Sequence, residues 1–397
     1  MRPSLACLVL LLVWSGGRGA GAGEQDGAIA EAGRWPHPRG PASGSGRSRE
    51  EMPESLGPPV WSHAAKSPIV APPLVWDGIA FLLHGSALTA LDVETGAVLA
   101  ATSFKGAAAP FPAVWNRSVF LLEGGKKLQE HRLQGGRFAP RWSFASLGEC
   151  GPPRIHAGEI YLATSQGLLR LRTGARKPVW TAAGDFEGEP AVYGDHVYAI
   201  RRGEGGKRAL VAHDRARGGM AAEAELPAPA KPARGGRVVV ADQIAGVLLA
   251  PEAEGEWMLC DRALDAGKLT LKAVRIEKLL CEPVARDKLL LAITAAGEWA
   301  VLVTGEPSKH LLATKAERPD LVAGAGPATV LGGTVAMGTW AIDFSTREVV
   351  WHLRDRKEYA PFHAGLRFGI VPADGLMLLV SADGKTLAAA GPEDFSR

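Results

Sequence analysis

The side chains that could do chemistry in this chain are sparse, and their placement argues against a shared reaction centre. Asp92, Asp214, Asp261 and Asp343 stand at matching places in successive stretches of similar sequence. A residue repeated in that way suits a turn, whose backbone N–H groups need a short acceptor, better than an active site, which has to be unique. The histidines between His63 and His363 are scattered with no HxxxH or HExxH spacing, so metal-assisted hydrolysis has no support. Cys150, Cys260 and Cys281 form neither a CxxC nor a Cys/His cluster, which disfavours zinc. Gly203-Glu204-Gly205-Gly206-Lys207 is Gly-rich, but it joins two expected strands and opens no helix that could hold a phosphate. No Gly-x-Ser-x-Gly elbow, Walker loop or dinucleotide fingerprint occurs. No catalytic, cofactor-binding or metal-binding residue is therefore expected.

The elements that would position any such residue repeat. Pro73-Leu-Val-Trp-Asp77-Gly78-Ile-Ala-Phe-Leu, Ala157-Gly158-Glu-Ile-Tyr161-Leu-Ala, Tyr193-Gly194-Asp-His-Val-Tyr198-Ala-Ile and Asp374-Gly375-Leu-Met-Leu-Leu-Val are copies of one phrase, a tight turn and then an apolar strand. Repeat starts at Gly78, Arg117, Gly158, Gly194, Gln243, Lys288, Gly333 and Gly375 give a mean period of about 42 residues, the length of a four-stranded propeller blade. The apolar runs are short, rich in Val, Ile, Leu and aromatics, and broken by Gly, Pro and Asp, which favours blades over paired helices. The expected fold is all-β: an eight-bladed, possibly seven-bladed, β-propeller of four-stranded antiparallel blades. Units five and six, about 243–305, carry the weakest copies.

The second half of each unit reads Ala90-Leu-Asp92-Val-Glu-Thr95-Gly96 in its clearest form, and a Trp closes several units: Trp61, Trp142, Trp180 and Trp351. Ala-x-Asp-x-x-Thr-Gly with a closing Trp resembles the tryptophan-docking repeat of the pyrroloquinoline-quinone (PQQ)-like β-propellers. The resemblance covers about 60–394. The copy at Ala341 has Arg347 in place of the glycine, and the copy at Ala90 has Ala100 in place of the Trp. It implies indoles packed between blades with their N–H groups on backbone carbonyls. It also raises a quinone dehydrogenase, whose calcium site and adjacent-cysteine disulfide this chain lacks: Asn116 is the only asparagine, and no two cysteines are adjacent. PQQ and calcium are therefore disfavoured, and the non-dehydrogenase branch is expected. In size and minimal repeats the chain is similar to the propeller subunit of the outer-membrane protein assembly machinery.

Pro59-Val-Trp61-Ser-His resembles a closing strand, yet it precedes the first full unit, and the last unit stops without one. Trp61 is thus expected to supply the fourth strand of the final blade, so that first and last blades join and no edge is left exposed.

Residues 1–22 read as a signal peptide, with Arg2, an apolar run Leu5–Trp14 and an Ala20-Gly21-Ala22 cleavage site. Cys7 lies at the start of that run instead of after it and so is expected to give no lipid anchor, and no other segment suits a transmembrane helix. Residues 23–58 are rich in Gly, Pro, Ser and charge and are expected to be a disordered linker, with the propeller over 59–397. Cys260 and Cys281 could pair across neighbouring units or remain buried thiols. A net charge of +3, with both signs interspersed, carries no footprint for nucleic acid. The expected protein is an exported, periplasmic or extracellular, monomeric scaffold that is not an enzyme and meets an envelope or secreted protein partner. The alternative is a propeller that binds a quinone or another small ligand in its channel. A carbohydrate-active propeller lacks a recognisable acid pair.

Overall fold

The computed structural model describes residues 30, 33–38, 40–41, 45–104, 111–145, 148–226, 236–241, 244–248, 257–261, 269–272, 284–286, 289–293, 299–303, 329–343 and 348–393. The expected signal peptide, and the side chains of Cys260 and Cys281, lie outside these residues.

The apolar runs form short antiparallel meanders in sequence order. Unit 1 is Leu74–Trp76, Ile79–His84, Ala87–Asp92 and Val98–Ser103. Unit 2 runs Ala113–Trp115, Ser118–Glu123, Lys127–Gln134 and Arg137–Ala145; unit 3 runs Arg154–His156, Glu159–Thr164, Gly167–Arg172 and Trp180–Ala183. Unit 4 is Asp185–Tyr193, His196–Arg202, Arg208–Asp214 and Met220–Leu226, and unit 5 is Arg237–Ala241, Ile244–Leu248, Trp257–Asp261 and Thr270–Lys272. Unit 6 shows Val284–Arg286, Leu289–Ile293 and Trp299–Val303 among the described residues. Unit 7 is Thr329–Leu331, Thr334–Met337, Trp340–Asp343 and Val349–His352; Val371–Ala373, Leu376–Val380 and Thr386–Ala390 begin unit 8. Trp61–Ala64 then pairs antiparallel with Thr386–Ala390, Trp61 opposite Ala389, and is the fourth strand of that last sheet.

The recurring phrase is a hairpin with a stereochemical requirement. Asp77 and Gly78 (φ 44° and 76°), Asn116 and Arg117 (46° and 63°), and Ala157 and Gly158 (49° and 76°) put both central residues in the left-handed region. That pair of conformations belongs to the type I′ turn, whose twist matches the flanking strands. Asn116 is thus accounted for as a turn residue. The strand after each turn is buried on both faces: all six residues of Ile79–His84 are buried. Neighbouring units share cores, as where Val75, Leu82 and Leu91 of unit 1 cluster with Val371, Leu378 and Leu387 of unit 8.

The docking repeat behaves as its residue types demand. Trp61 Nε1 donates to the Val93 carbonyl at 2.7 Å, Trp142 to Ala175 at 2.8 Å and Trp180 to Arg215 at 2.9 Å, each reaching the third turn of the next unit. Asp92 Oδ1 accepts the Thr95 N–H and hydroxyl at 2.8 Å, and Asp214 Oδ1 accepts the Arg217 N–H at 2.6 Å, which fixes those turns. Gly96 sits at φ 71°, and a Cβ there would lie 2.7 Å from the Trp61 ring. Gly96→Ala combines left-handed strain with that clash and should cost about 2 kcal/mol, read as a lower urea midpoint. An unchanged midpoint would mean that the ring does not dock there.

The first strands of units 1 to 7 approach one another in succession, and that of unit 8 meets that of unit 1. They wall the channel in which a propeller places its axial groups.

Candidate functional site: the axial channel and its occupant

The expectation of a disordered linker over 23–58 is corrected for the described part of that stretch, residues 30, 33–38, 40–41 and 45–58. Its described residues lie against the inner strands. Arg34–Trp35 adds to unit 1 as an extra strand, Trp35 opposite Val75. The Pro36 carbonyl accepts the Val114 N–H of unit 2 at 2.8 Å. His37 Nε2 then accepts the Ile155 N–H of unit 3 at 2.8 Å. Farther on, Arg47–Ser48 pairs in parallel with Thr329–Leu331 of unit 7. Glu50 accepts N–H groups of Gly33, Asp374 and Gly375 at 2.9, 3.1 and 3.0 Å, tying the segment to the first turn of unit 8. The physical reason is that a low average apolar content conceals a few well-placed anchors. Trp35 is only 2% exposed, and Met52 and Leu56 are buried in the core between units 7 and 8. Backbone groups on the inner strands supply the remaining partners.

The segment leaves the channel by filling a gap in the repeat. Trp351 of unit 7 needs a carbonyl from the third turn of unit 8, and that turn does not exist because the fourth strand comes from the amino-terminal side. Pro53 provides the carbonyl instead, at 3.1 Å. Leu56 bridges Pro392, and Tyr359 donates its hydroxyl to the Gly57 carbonyl at 2.9 Å, before the chain enters the Trp61 strand.

Beside the occupant lies a buried charge cluster on the inner strands of units 3 to 5. Arg154 is 1% and Glu189 3% exposed, and Arg154 Nη2 lies 2.6 Å from Glu189 Oε1. Arg154 also donates through Nε to the Pro190 carbonyl at 3.1 Å and through Nη1 to the Pro41 carbonyl of the axial segment at 3.4 Å. Arg237 Nε stands 3.6 Å from Glu189 Oε2, and its guanidinium lies 4.8 Å over the Phe111 ring. Backbones pack tightly here: Gly188 has φ 73°, and a Cβ on it would fall 2.0 Å from the Gly236 carbonyl oxygen. Only glycine lets units 4 and 5 close to the parallel bridge that sets Glu189 opposite Arg237.

These groups are committed to one another. Glu189 is held between two guanidiniums, and His37 has its lone pair on the Ile155 N–H and its Nδ1 on the Gly40 carbonyl at 3.0 Å. General-base catalysis needs a lone pair that a substrate can reach, and His37 is fully buried. Three of the histidines scattered through the units make hydrogen bonds within their own unit or loop. His84 Nε2 pairs with Thr89 Oγ1 at 2.8 Å, His213 Nδ1 with the Gly218 carbonyl at 3.0 Å, and His363 Nε2 with the Arg356 carbonyl at 3.0 Å. Burial holds His84 and His213 below the ordinary imidazole range. Within Gly203–Lys207, Glu204–Gly206 forms one short 3₁₀ turn between two strands. Among the described residues no group of His, Cys, Asp or Glu is placed to hold a metal ion, and no helix is long and apolar enough to cross a membrane. The residues that sequence reading missed are His37, Trp35, Glu50, Arg154, Glu189 and Arg237. The only local hint was Arg34-Trp35-Pro36-His37, an aromatic and a histidine inside an otherwise polar stretch.

Neither a family model nor a curated protein matches this chain. Solved structures do. BamB from Moraxella catarrhalis is 12% identical with a TM-score of 0.59, the match covering 85% of this chain and 99% of that one. Quinohemoprotein alcohol dehydrogenase from Comamonas testosteroni is 13% identical with a TM-score of 0.61, over 92% of this chain and 81% of that one. Sqt1 from Saccharomyces cerevisiae is 8% identical with a TM-score of 0.53, over 93% and 99%. At such identities the likeness concerns architecture, and with the meanders and docked tryptophans it makes this chain a β-propeller.

Proposed function

We propose that this chain is a non-catalytic, exported β-propeller of eight blades, closed by its amino-terminal strand, that serves as a scaffold for a protein partner in the cell envelope or outside the cell. The observation that carries this reading is the occupied channel. A quinone or other small ligand on the axis would compete with Trp35, Pro36 and His37 for the inner strands of units 1 to 3. The charged groups beside them already pair with one another within the chain. Blade faces and outer strands then remain as the surface offered to others. Similar structures include a dehydrogenase as well as BamB, so the likeness itself does not choose between the two roles.

Two measurements test the reading. Calorimetry with PQQ and calcium should give no saturable heat; a stoichiometric transition would favour the ligand-binding alternative. Tagged protein incubated with envelope extract of its host should retain a specific partner at near-stoichiometric amounts. Return of the bait alone, together with quinone binding, would overturn the scaffold.

A further inference from the structure

We infer that the axial segment is an acid-released plug: neutral His37 seats residues 33–38 and 40–41 against the inner wall, and protonating its ring expels them. The inference stands on the channel geometry and is independent of the partner reading.

The seat admits one protonation state. Nε2 accepts the Ile155 N–H at 2.8 Å and so carries no proton, while Nδ1 faces the Gly40 carbonyl at 3.0 Å and so carries one. A proton added to Nε2 would set donor against donor at a fully buried site. It would also add positive charge where the surroundings are already positive. From unit 3 the Arg154 guanidinium and His156 face the ring. From unit 4 comes Glu189, committed to Arg154 and to Arg237 of unit 5. On the segment itself, Arg34 is paired with Asp77. Burial first, and then Arg154, hold the imidazole well below its ordinary 6.5.

The sign of the effect follows. In the released segment His37 regains its ordinary affinity for protons, so the released state binds more of them. The seating contribution is therefore complete above about pH 6.5 and erodes as pH falls below it. Trp35 and Glu50 oppose release and set how far the pH must drop. What opens is the inner wall of units 1 to 3, with the Val114 and Ile155 N–H groups and the Trp35 pocket exposed on the axis.

Hydrogen exchange on the full chain, corrected for intrinsic rates, tests this when peptides spanning 33–50 are followed from pH 7.5 to 4. Their protection should fall at least tenfold while the propeller strands stay protected. The midpoint should coincide with the titration of the His37 ring followed by NMR. His37→Gln offers Ile155 an acceptor that does not titrate and should abolish the step. Glu50→Gln removes the charge of the carboxylate that ties the segment to unit 8, and should retain the step. A segment protected until the propeller itself melts would overturn the inference, as would a step that survives His37→Gln. If His37→Gln leaves the segment open at every pH, the wild-type midpoints decide, and opening away from the His37 midpoint overturns it.

Discussion

Arg154→Ala should lower the stability of the fold by about 3–5 kcal/mol, the range for breaking a buried ion pair from one side. The cost arises because Glu189 would stay behind, 3% exposed, with only the more distant Arg237 to offset its charge. The carbonyls of Pro190 and Pro41 would lose their donor at the same stroke. Replacing both partners by apolar residues is a different experiment. Arg154→Met with Glu189→Leu removes the desolvation of two charges together and should cost much less than the sum of the single changes. Urea unfolding of the four chains gives the coupling directly. If Arg154→Ala shifts the midpoint by less than about 1 kcal/mol, the cluster is hydrated and the axial packing described above is wrong.

Trp35→Ala should cost a similar amount, about 3–5 kcal/mol, as expected for emptying a fully buried aromatic site. The ring packs with Val75, Leu91, Val371 and Leu378 in the core shared by units 1 and 8, so its removal loosens the junction where the circle begins and ends. Trp35→Phe should cost less. The indole N–H finds no acceptor among the described residues, so the change forfeits ring area and no hydrogen bond. A solvated tether would tolerate either substitution without a measurable effect.

The contrast between legible and illegible parts of this protein is physical. The hairpin phrase around Asp77-Gly78 is local: a type I′ turn needs two particular backbone conformations, and few residue types supply them. Asp92 and Asp214 serve turns three residues away, so recurrence along the chain identified their work. Trp61 was recognisable as a displaced closing strand because the repeat it completes lies at the other end of the sequence. The axial segment offers no such regularity. His37 meets Ile155 across 118 positions and Glu50 meets Asp374 across 324, and neither belongs to a repeat. Arg154, Glu189 and Arg237 occupy inner strands of three different units without a shared pattern, so ordinary surface charge was the natural reading of each. Averages over 23–58 then concealed Trp35, because one buried indole contributes little to the mean of a Gly- and Pro-rich stretch.

The occupied channel, on which the functional proposal stands, can be tested by a covalent trap. A Cβ on Gly33 would lie 3.8 Å from the Asp374 Cβ, within the span that a disulfide bridges. Both positions have positive φ, 68° and 56°, so each cysteine carries strain of about 1–2 kcal/mol. A bridge closing so long a loop contributes about 6 kcal/mol in the chain-entropy account, enough to offset it. Gly33→Cys with Asp374→Cys should therefore oxidise quantitatively to one intramolecular disulfide, seen as a two-dalton loss and faster migration on a non-reducing gel. Two freely titrating thiols in the folded protein would contradict the account, because the amino-terminal segment would then lie away from the eighth unit and the channel would be open.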